Sequence, residues 1–311
     1  MKKLLIIGMG NQAKAWTLNL KDSGWDVMVA VRKPEQHQAL LSSWGIKSIT
    51  LNSAEKMNHD YIAILTPDHT HLEILQKNAA NIKTGATLLY AHGFSMMEHK
   101  LQEKFPQFYH ALFAPKAIAS ELRYQYETKG KLGAVSSLEL INATQKKQTS
   151  DFIQLLAAGL GITSGPYPTT FKNETMADLF SEQTLLCALI PYASNSVYKK
   201  LRSHNIDKEL AYFEAWYEVK LIVDTLIKIG PKDFFNLISP NALLGAHLSV
   251  SHLVDDDFEQ KIDQIWQEIE QGKFQDKLKK LDYNTIKKQI ENFWADQELT
   301  QTHNELKSTL F

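Results

Sequence analysis

The chain has 311 residues, long enough for two domains of ordinary size, and with 44% hydrophobic and 22% charged residues its composition excludes a disordered or fibrous class. Its 34 Lys and Arg against 35 Asp and Glu leave a formal net charge of -1, and the basic residues are scattered, which argues against a nucleic-acid or membrane-surface partner. The one cysteine, Cys187, excludes an internal disulfide and reads as a packed thiol among apolar neighbours, so a reducing, cytoplasmic setting is expected.

The opening MKKLLIIGMG places two lysines before an apolar run, but the run stops at Gly8, short of the roughly 7–15 residues of a signal-peptide core. No later stretch approaches the ~18 uninterrupted apolar residues of a membrane span. Residues 4–8, 26–32, 61–66, 87–93, 107–115 and 131–141 read as strands, and the segments between them, such as NQAKAWTLNLKDSG, carry helical periodicity and end on glycine. Strands alternating with helices predict an α/β, doubly wound parallel sheet, a Rossmann domain. After the turn-rich GITSGPYPTTF (161–171) the strand signal stops, and long helical patterns cover 173–190, 208–229, 256–271 and 284–296. The expected organisation is a dinucleotide-binding domain over 1–168 and an all-α domain over 169–311.

GMGNQA (8–13) stands between the first strand and the first helix. Gly8 permits the tight turn, Gly10 leaves room for a pyrophosphate against the backbone, and Ala13 takes the position of close helix packing. Asn11 and Gln12 open the helix whose N-terminus would receive the phosphates. The second strand ends in Arg32 and Lys33, where an NAD site usually offers an acid. Positive charge there suits a 2′-phosphate and favours NADPH, while Glu35 opposes it and leaves NADH possible.

ADLFSEQTLL (177–186) puts Asp178 and Glu182 on one helical face, continued by Leu185, Leu186 and Leu189. AYFEAWYEVKLIVDT (211–225) repeats the arrangement with Glu214, Glu218, Leu221 and Ile222. Either pair alone is what a solvated helix carries. Carboxylates that head apolar stripes toward the chain's own core would instead require a cation, and an oxygen-only donor set suits Mg²⁺ better than the His/Cys spacing of structural zinc. Two such pairs predict a dinuclear Mg²⁺ site. The triplet Asp255, Asp256 and Asp257 reads more simply as acids in a helix's first turn.

Together these segments resemble the short-chain, bacterial-type ketol-acid reductoisomerases along nearly the whole chain. The matching pieces are GMGNQAKAWTLNLKDSGWDVMVAVR, LTPD (65–68), AHGF (91–94), APK (114–116), TFKNETMADLFSEQ, AYFEAWYEVKLIVD and QGKFQDK (271–277), the two carboxylate segments being the most specific. The resemblance implies a knotted, dimer-forming helical domain. It implies two Mg²⁺ held by Asp178, Glu182, Glu214 and Glu218, with Asp178 bridging and the two pairs coming from different subunits of a homodimer. It further implies cofactor contacts at Pro67 and Asp68, catalytic roles for His92, Lys116 and Glu182, and a substrate contact at Ser239. The implied reaction is alkyl migration in a 2-hydroxy-3-keto acid, 2-acetolactate or 2-aceto-2-hydroxybutyrate. NADPH then reduces the product to a 2,3-dihydroxy-3-alkyl acid, in branched-chain amino acid biosynthesis.

Read by themselves, His92 caps a strand end, Lys116 is a loop cation and Ser239 is turn chemistry. The chain departs from the family in PKAIASEL, where Ala117, Ile118 and Ala119 replace a glycine-containing turn that tolerates φ > 0. It departs also in RKPEQHQ, which lacks the usual serine, and in starting directly at the first strand. Two other readings stay open: an NADPH-dependent 2-keto acid reductase without isomerase activity, and a non-catalytic dinucleotide-sensing protein.

Overall fold

The computed structural model describes residues 2–310, which fold as two compact units that divide between Thr175 and Met176. The first unit is built on an eight-stranded sheet: β1 (Lys3–Ile7), β2 (Asp26–Val31), β3 (Lys47–Thr50), β4 (Tyr61–Ile64), β5 (Thr87–Tyr90), β6 (Tyr109–Pro115), β7 (Gly133–Ser137) and β8 (Ser164–Pro168). Their order across the sheet is β3-β2-β1-β4-β5-β6-β7-β8, with every pair parallel except β6 with β7. The six strands expected from the sequence are all present. KSIT of β3 is too polar to announce itself, and SGPYP of β8 reads as a turn because of its glycine and prolines. β8 lies at the sheet edge, where a proline without an N–H is tolerated.

The apolar runs arise because the sheet is covered on both faces. Within β1, Leu4 and Ile6 join one core with Trp16, Phe113 and Phe152, while Leu5 and Ile7 join the other with Ile62, Ile64, Leu88 and Tyr90. Alternation over two buried faces leaves no polar position, so the strand reads as continuously apolar. Helices α1 (Asn11–Asp22) and α2 (His71–Asn78) contribute to opposite faces, Trp16 and Leu20 from α1, Ile74 and Leu75 from α2. On the α1 face lie also α3 (Ala119–Glu127), through Leu122, and α4 (Ala143–Leu160), through Phe152, Ile153 and Leu156. Trp16 meets Phe113 edge-on with centroids 5.6 Å apart, a geometry that adds about 0.5–1.5 kcal/mol beyond area burial.

The division between the units falls within α5 (Phe171–Ser181). The second unit is helical among its described residues. A π-helical stretch, Glu182–Leu189, leads into α6 (Ile190–Ser203), and after Lys208–Tyr212 a second, Phe213–Tyr217, leads into α7 (Glu218–Ile229). Then come α8 (Pro240–Leu253) and further helices at Asp256–Glu270, Tyr283–Ala295 and Glu298–Leu310. Its core is small: Tyr198, Ala211, Tyr212, Ala215 and Leu299, with Tyr198 Oη hydrogen-bonded to Thr302 Oγ1 at 2.9 Å.

Two sequence expectations are corrected here. The stripes behind the carboxylates do not face the chain's own core: Leu185, Leu186, Leu189, Leu221 and Ile222 are all exposed. Periodicity marks a face as apolar without saying what covers it. Cys187 is exposed rather than packed. Partial burial nevertheless pushes its thiol pKa up, and the nearby charges of Glu182 and Asp178 push it further, so it stays a protonated thiol. Among the described residues no helix is long and apolar enough to cross a membrane.

Candidate active site

The glycine turn opens onto a cavity of about 610 Å³ at the C-terminal ends of β1, β2 and β4. Gly8 has φ +121°, and a Cβ there would stand 2.7 Å from the Leu65 carbonyl oxygen, so only glycine fits. At Gly10 a Cβ would meet nothing within 4 Å, which leaves open space against the backbone where α1 begins. Ala13 is fully buried. An open cradle at a helix N-terminus fits a pyrophosphate, as the motif requires.

Gly8, Gly10, Arg32, Lys33 and Pro67 line this cavity. Sequence reading missed the residues that α2 and its approach contribute, His69, Glu73 and Lys77, because they lie far along the chain from the glycine turn. Lys77 pairs with Glu73, which keeps that carboxylate's pKa low. Lys77 and Glu73 offset each other, so the net positive charge of the lining rests on Arg32 and Lys33, and Glu35 is outside the lining. Gln12 and Asp68 bond to protein instead: Gln12 Nε2 donates to the Ala117 carbonyl (3.2 Å), and Asp68 Oδ1 accepts from the Ser95 N–H (3.3 Å). Ser95 Oγ lies 2.7 Å from His71 Nδ1, whose other nitrogen reaches the Thr66 carbonyl at 2.8 Å. This network fixes the LTPD turn at the cavity edge. Asn11 is exposed at the first position of α1.

His92 and Lys116 are brought together by a residue the sequence reading did not single out, Glu174 of α5. Its carboxylate, 1% exposed, accepts from Lys116 Nζ (2.8 Å), from His92 Nδ1 (2.9 Å) and from the Gly93 N–H (2.8 Å). A Cβ on Gly93 would lie 2.5 Å from Thr175 Oγ1 and 2.6 Å from the Phe171 carbonyl oxygen, so glycine is what lets α5 approach. Burial pushes the Glu174 pKa up, but the hydrogen bonds and charges of His92 and Lys116 outweigh it and hold the carboxyl below its ordinary value. An ionised carboxylate only accepts, so His92 carries a proton on Nδ1 where it meets Glu174.

The substituted turn after Lys116 needs no glycine. Positive φ among non-glycine residues occurs at Asn52, Lys100, Lys129 and Asn205 and not at Ala117, Ile118 or Ala119. The backbone of this turn is therefore one that these side chains adopt without strain.

In the second unit both π-helical stretches coincide with the carboxylate pairs. Asp178 is half-buried near the end of α5 and Glu182 opens the first stretch. Glu214 lies in the second and Glu218 follows it, all but Asp178 being exposed. Such bulges recur at functional sites. The four groups offer carboxylate oxygens only, a donor set that fits a hard divalent cation. Ser239 caps α8, accepting from the Ala242 N–H at 3.2 Å, and Asp255 caps the helix at Asp256–Glu270, accepting from the Phe258 N–H at 2.9 Å.

A cationic dinucleotide cradle on a parallel sheet, followed by a helical unit bearing paired carboxylates, defines a nicotinamide-dependent oxidoreductase class. Residues 1–165 match the family description "Acetohydroxy acid isomeroreductase, NADPH-binding domain", and residues 171–310 match "Ketol-acid reductoisomerase, C-terminal domain". The chain belongs to the ketol-acid reductoisomerase family. It is 33% identical over 276 residues to the ketol-acid reductoisomerase (NADP(+)) of Campylobacter hominis, covering 88% of this chain and 79% of that protein. To the ketol-acid reductoisomerase (NADP(+)) of Clostridioides difficile it is 32% identical, covering 88% and 82%. The solved structure of an NADH-preferring ketol-acid reductoisomerase from an uncultured archean matches with a TM-score of 0.83 at 24% identity, over 99% of this chain and 94% of that one. That likeness speaks for the fold.

Proposed function

We propose that this enzyme converts 2-acetolactate or 2-aceto-2-hydroxybutyrate to the 2,3-dihydroxy-3-alkyl acid with Mg²⁺ and NADPH, as a homodimer in the cytoplasm, in branched-chain amino acid biosynthesis. The observation that carries the reading is the pair of carboxylate sets, Asp178 with Glu182 and Glu214 with Glu218, each at a π-helical turn beside an open apolar face. Those faces leave room for a second copy, which would bring its own carboxylates to each site. The cationic lining with Arg32 and Lys33 supports NADPH over NADH.

When bound, two Mg²⁺ supply Lewis acidity at adjacent substrate oxygens, and NADPH supplies a hydride. The four carboxylates would hold the ions. Migration carries the alkyl group with its bonding pair from C2 to C3, so the proton on the C2 oxygen must end on the C3 oxygen. His92, whose ring Glu174 orients through Nδ1, would take and return that proton. Lys116, oriented by the same carboxylate, offers a donor to the oxygen that becomes negative. Hydride addition at C2 then needs one more proton on the C2 oxygen, within the capacity of the same pair. Ser239 would contact the substrate.

The test is NADPH oxidation by the purified protein with 2-acetolactate, with Mg²⁺ and after chelation, for wild type, Asp178→Asn and Glu214→Gln. Mg²⁺-dependent turnover lost in both variants with unchanged NADPH binding is the expected result. Turnover that survives chelation, or reduction of simple 2-keto acids without any of 2-acetolactate, would overturn the reading.

A further inference from the structure

Helices α1 and α3 are stitched together along their length by polar bonds. At the first turn of α1, Gln12 Nε2 donates to the Ala117 carbonyl at 3.2 Å. Two turns on, Asn19 Nδ2 donates to the Leu122 carbonyl (3.2 Å) and to the Leu160 carbonyl of α4 (3.2 Å), while Asn19 Oδ1 accepts from Arg123 Nη1 (2.9 Å). At the far end Arg123 pairs with Asp22 (2.8 Å), and Ser23 Oγ and Tyr126 Oη share a bond of 2.8 Å. Asn19 is fully buried with its amide satisfied on both sides, so the middle of this seam has no slack.

The start of the seam joins two functional segments. Gln12 belongs to the turn that faces the dinucleotide cavity, and Ala117 directly follows Lys116, whose ammonium Glu174 holds at 2.8 Å. The Lys116 N–H donates to the Gly133 carbonyl (2.9 Å) and the Ile118 carbonyl accepts from the Leu122 N–H (2.9 Å), so Gln12 grips the peptide between two fixed points. The Gln12 acyl oxygen, meanwhile, is buried with no partner. An apolar residue of the same shape would avoid that cost, so the amide earns its place through its donor.

We propose that Gln12 is a positioning residue: its amide couples the cofactor turn to the Lys116 loop and fixes where Lys116 stands for the reaction. The inference rests on the function proposed above. In a loop that carries a reacting ammonium, a small displacement is enough to cost rate without costing cofactor affinity.

The test uses the full-length enzyme as Gln12→Met, which keeps length and removes the donor, and as Gln12→Glu, whose ionised carboxylate cannot donate to a carbonyl. For Gln12→Met, kcat with 2-acetolactate, Mg²⁺ and NADPH should fall on the order of tenfold, with the NADPH Kd within about twofold of wild type. Amides 117–122 should exchange faster with deuterium in both variants. Gln12→Glu should regain part of its kcat as the pH falls and the carboxyl becomes a donor, a recovery Gln12→Met cannot show and a merely structural role would not produce. An unchanged kcat and unchanged exchange in Gln12→Met would overturn the proposal, as would a tenfold weaker NADPH Kd, which would make Gln12 a cofactor contact. A wild-type enzyme inactive on 2-acetolactate would sink the functional reading instead, and the exchange measurement would still decide the coupling.

Discussion

Lys116 and Glu174 stand 58 positions apart in the chain and meet as an ion pair of 2.8 Å, with the carboxylate buried and the lysine side chain at 40% exposure. Glu174 also holds His92 and the Gly93 N–H, so one side chain fixes two polar side chains and a backbone turn. Glu174→Gln keeps the shape but turns an acceptor into a donor facing Lys116 or His92. The partners are partly exposed, so solvent tempers the loss, and destabilisation of about 1–3 kcal/mol is expected. Turnover should fall roughly a hundredfold, the low end of what positioned proton-transfer groups contribute. Thermal unfolding and steady-state kinetics check both, and a variant with wild-type kcat would show that His92 and Lys116 need no common anchor.

Glu174 also marks where sequence reading stops. It lies inside TFKNETMADLFSEQ, four residues before Asp178, so Glu174, Asp178 and Glu182 recur at intervals of four along one helical face. That spacing was the available signal, but nothing local says that its first member turns toward His92 and Lys116. The first unit was legible because a sheet buried on both faces writes itself as apolar runs, whereas β3 and β8 escaped because polar and proline-containing edge strands do not. Lys77 was invisible as a cavity residue for a different reason: its place there depends on the packing of α2 against the sheet. The exposure of Leu185 and Leu221 could not be read at all, since amphipathicity is the same whether a core or another subunit covers the face.

Arg32 and Lys33 close the end of the cavity where a 2′-phosphate would lie. Arg32→Ser removes a charge-assisted donor worth about 1.5–3 kcal/mol, so the NADPH Kd should rise roughly tenfold to a hundredfold. NADH, which lacks the phosphate, should bind within about twofold of wild type. Fluorescence titration of both cofactors separates the cases. An equal loss for NADH would mean that Arg32 holds the adenosine or pyrophosphate instead.

Three buried histidines make the fold sensitive to acid. Burial lowers the pKa of His59, His71 and His110, the last to about 4, and neither the Phe105 carbonyl at His110 nor the Asp68 charge at His71 reverses this. A group whose folded pKa lies below its unfolded value binds its proton more tightly in the unfolded chain, so stability rises with pH between the two. The contribution is complete above about pH 6.5 and is lost as pH falls toward 4, which for His110 amounts to about 3 kcal/mol. Thermal unfolding from pH 8 down to pH 4 should show Tm falling mainly below pH 6.5. His110→Phe should flatten part of that slope, although it also leaves the buried Tyr90 hydroxyl without its 3.0 Å partner. A Tm independent of pH in this window would show that the three rings are hydrated in solution.

The last expectation concerns what covers the helical unit. Along α8, Leu244, Leu248 and Leu253 are 59%, 70% and 72% exposed, and the faces behind Glu182 and Glu218 are open as well. Apolar surface of this kind calls for a partner, and a homodimer supplies one by symmetry. Leu244→Asp with Leu248→Asp puts two desolvated charges on each subunit into any such contact, which association cannot tolerate. Sedimentation velocity should find a dimer for wild type and a monomer for the double variant. That monomer should retain NADPH binding, because the cavity of Gly8, Arg32 and Lys77 lies wholly within the first unit, and should lose Mg²⁺-dependent turnover. A monomer with full activity would show that one chain's four carboxylates suffice, and a dimer that persists would move the contact away from α8.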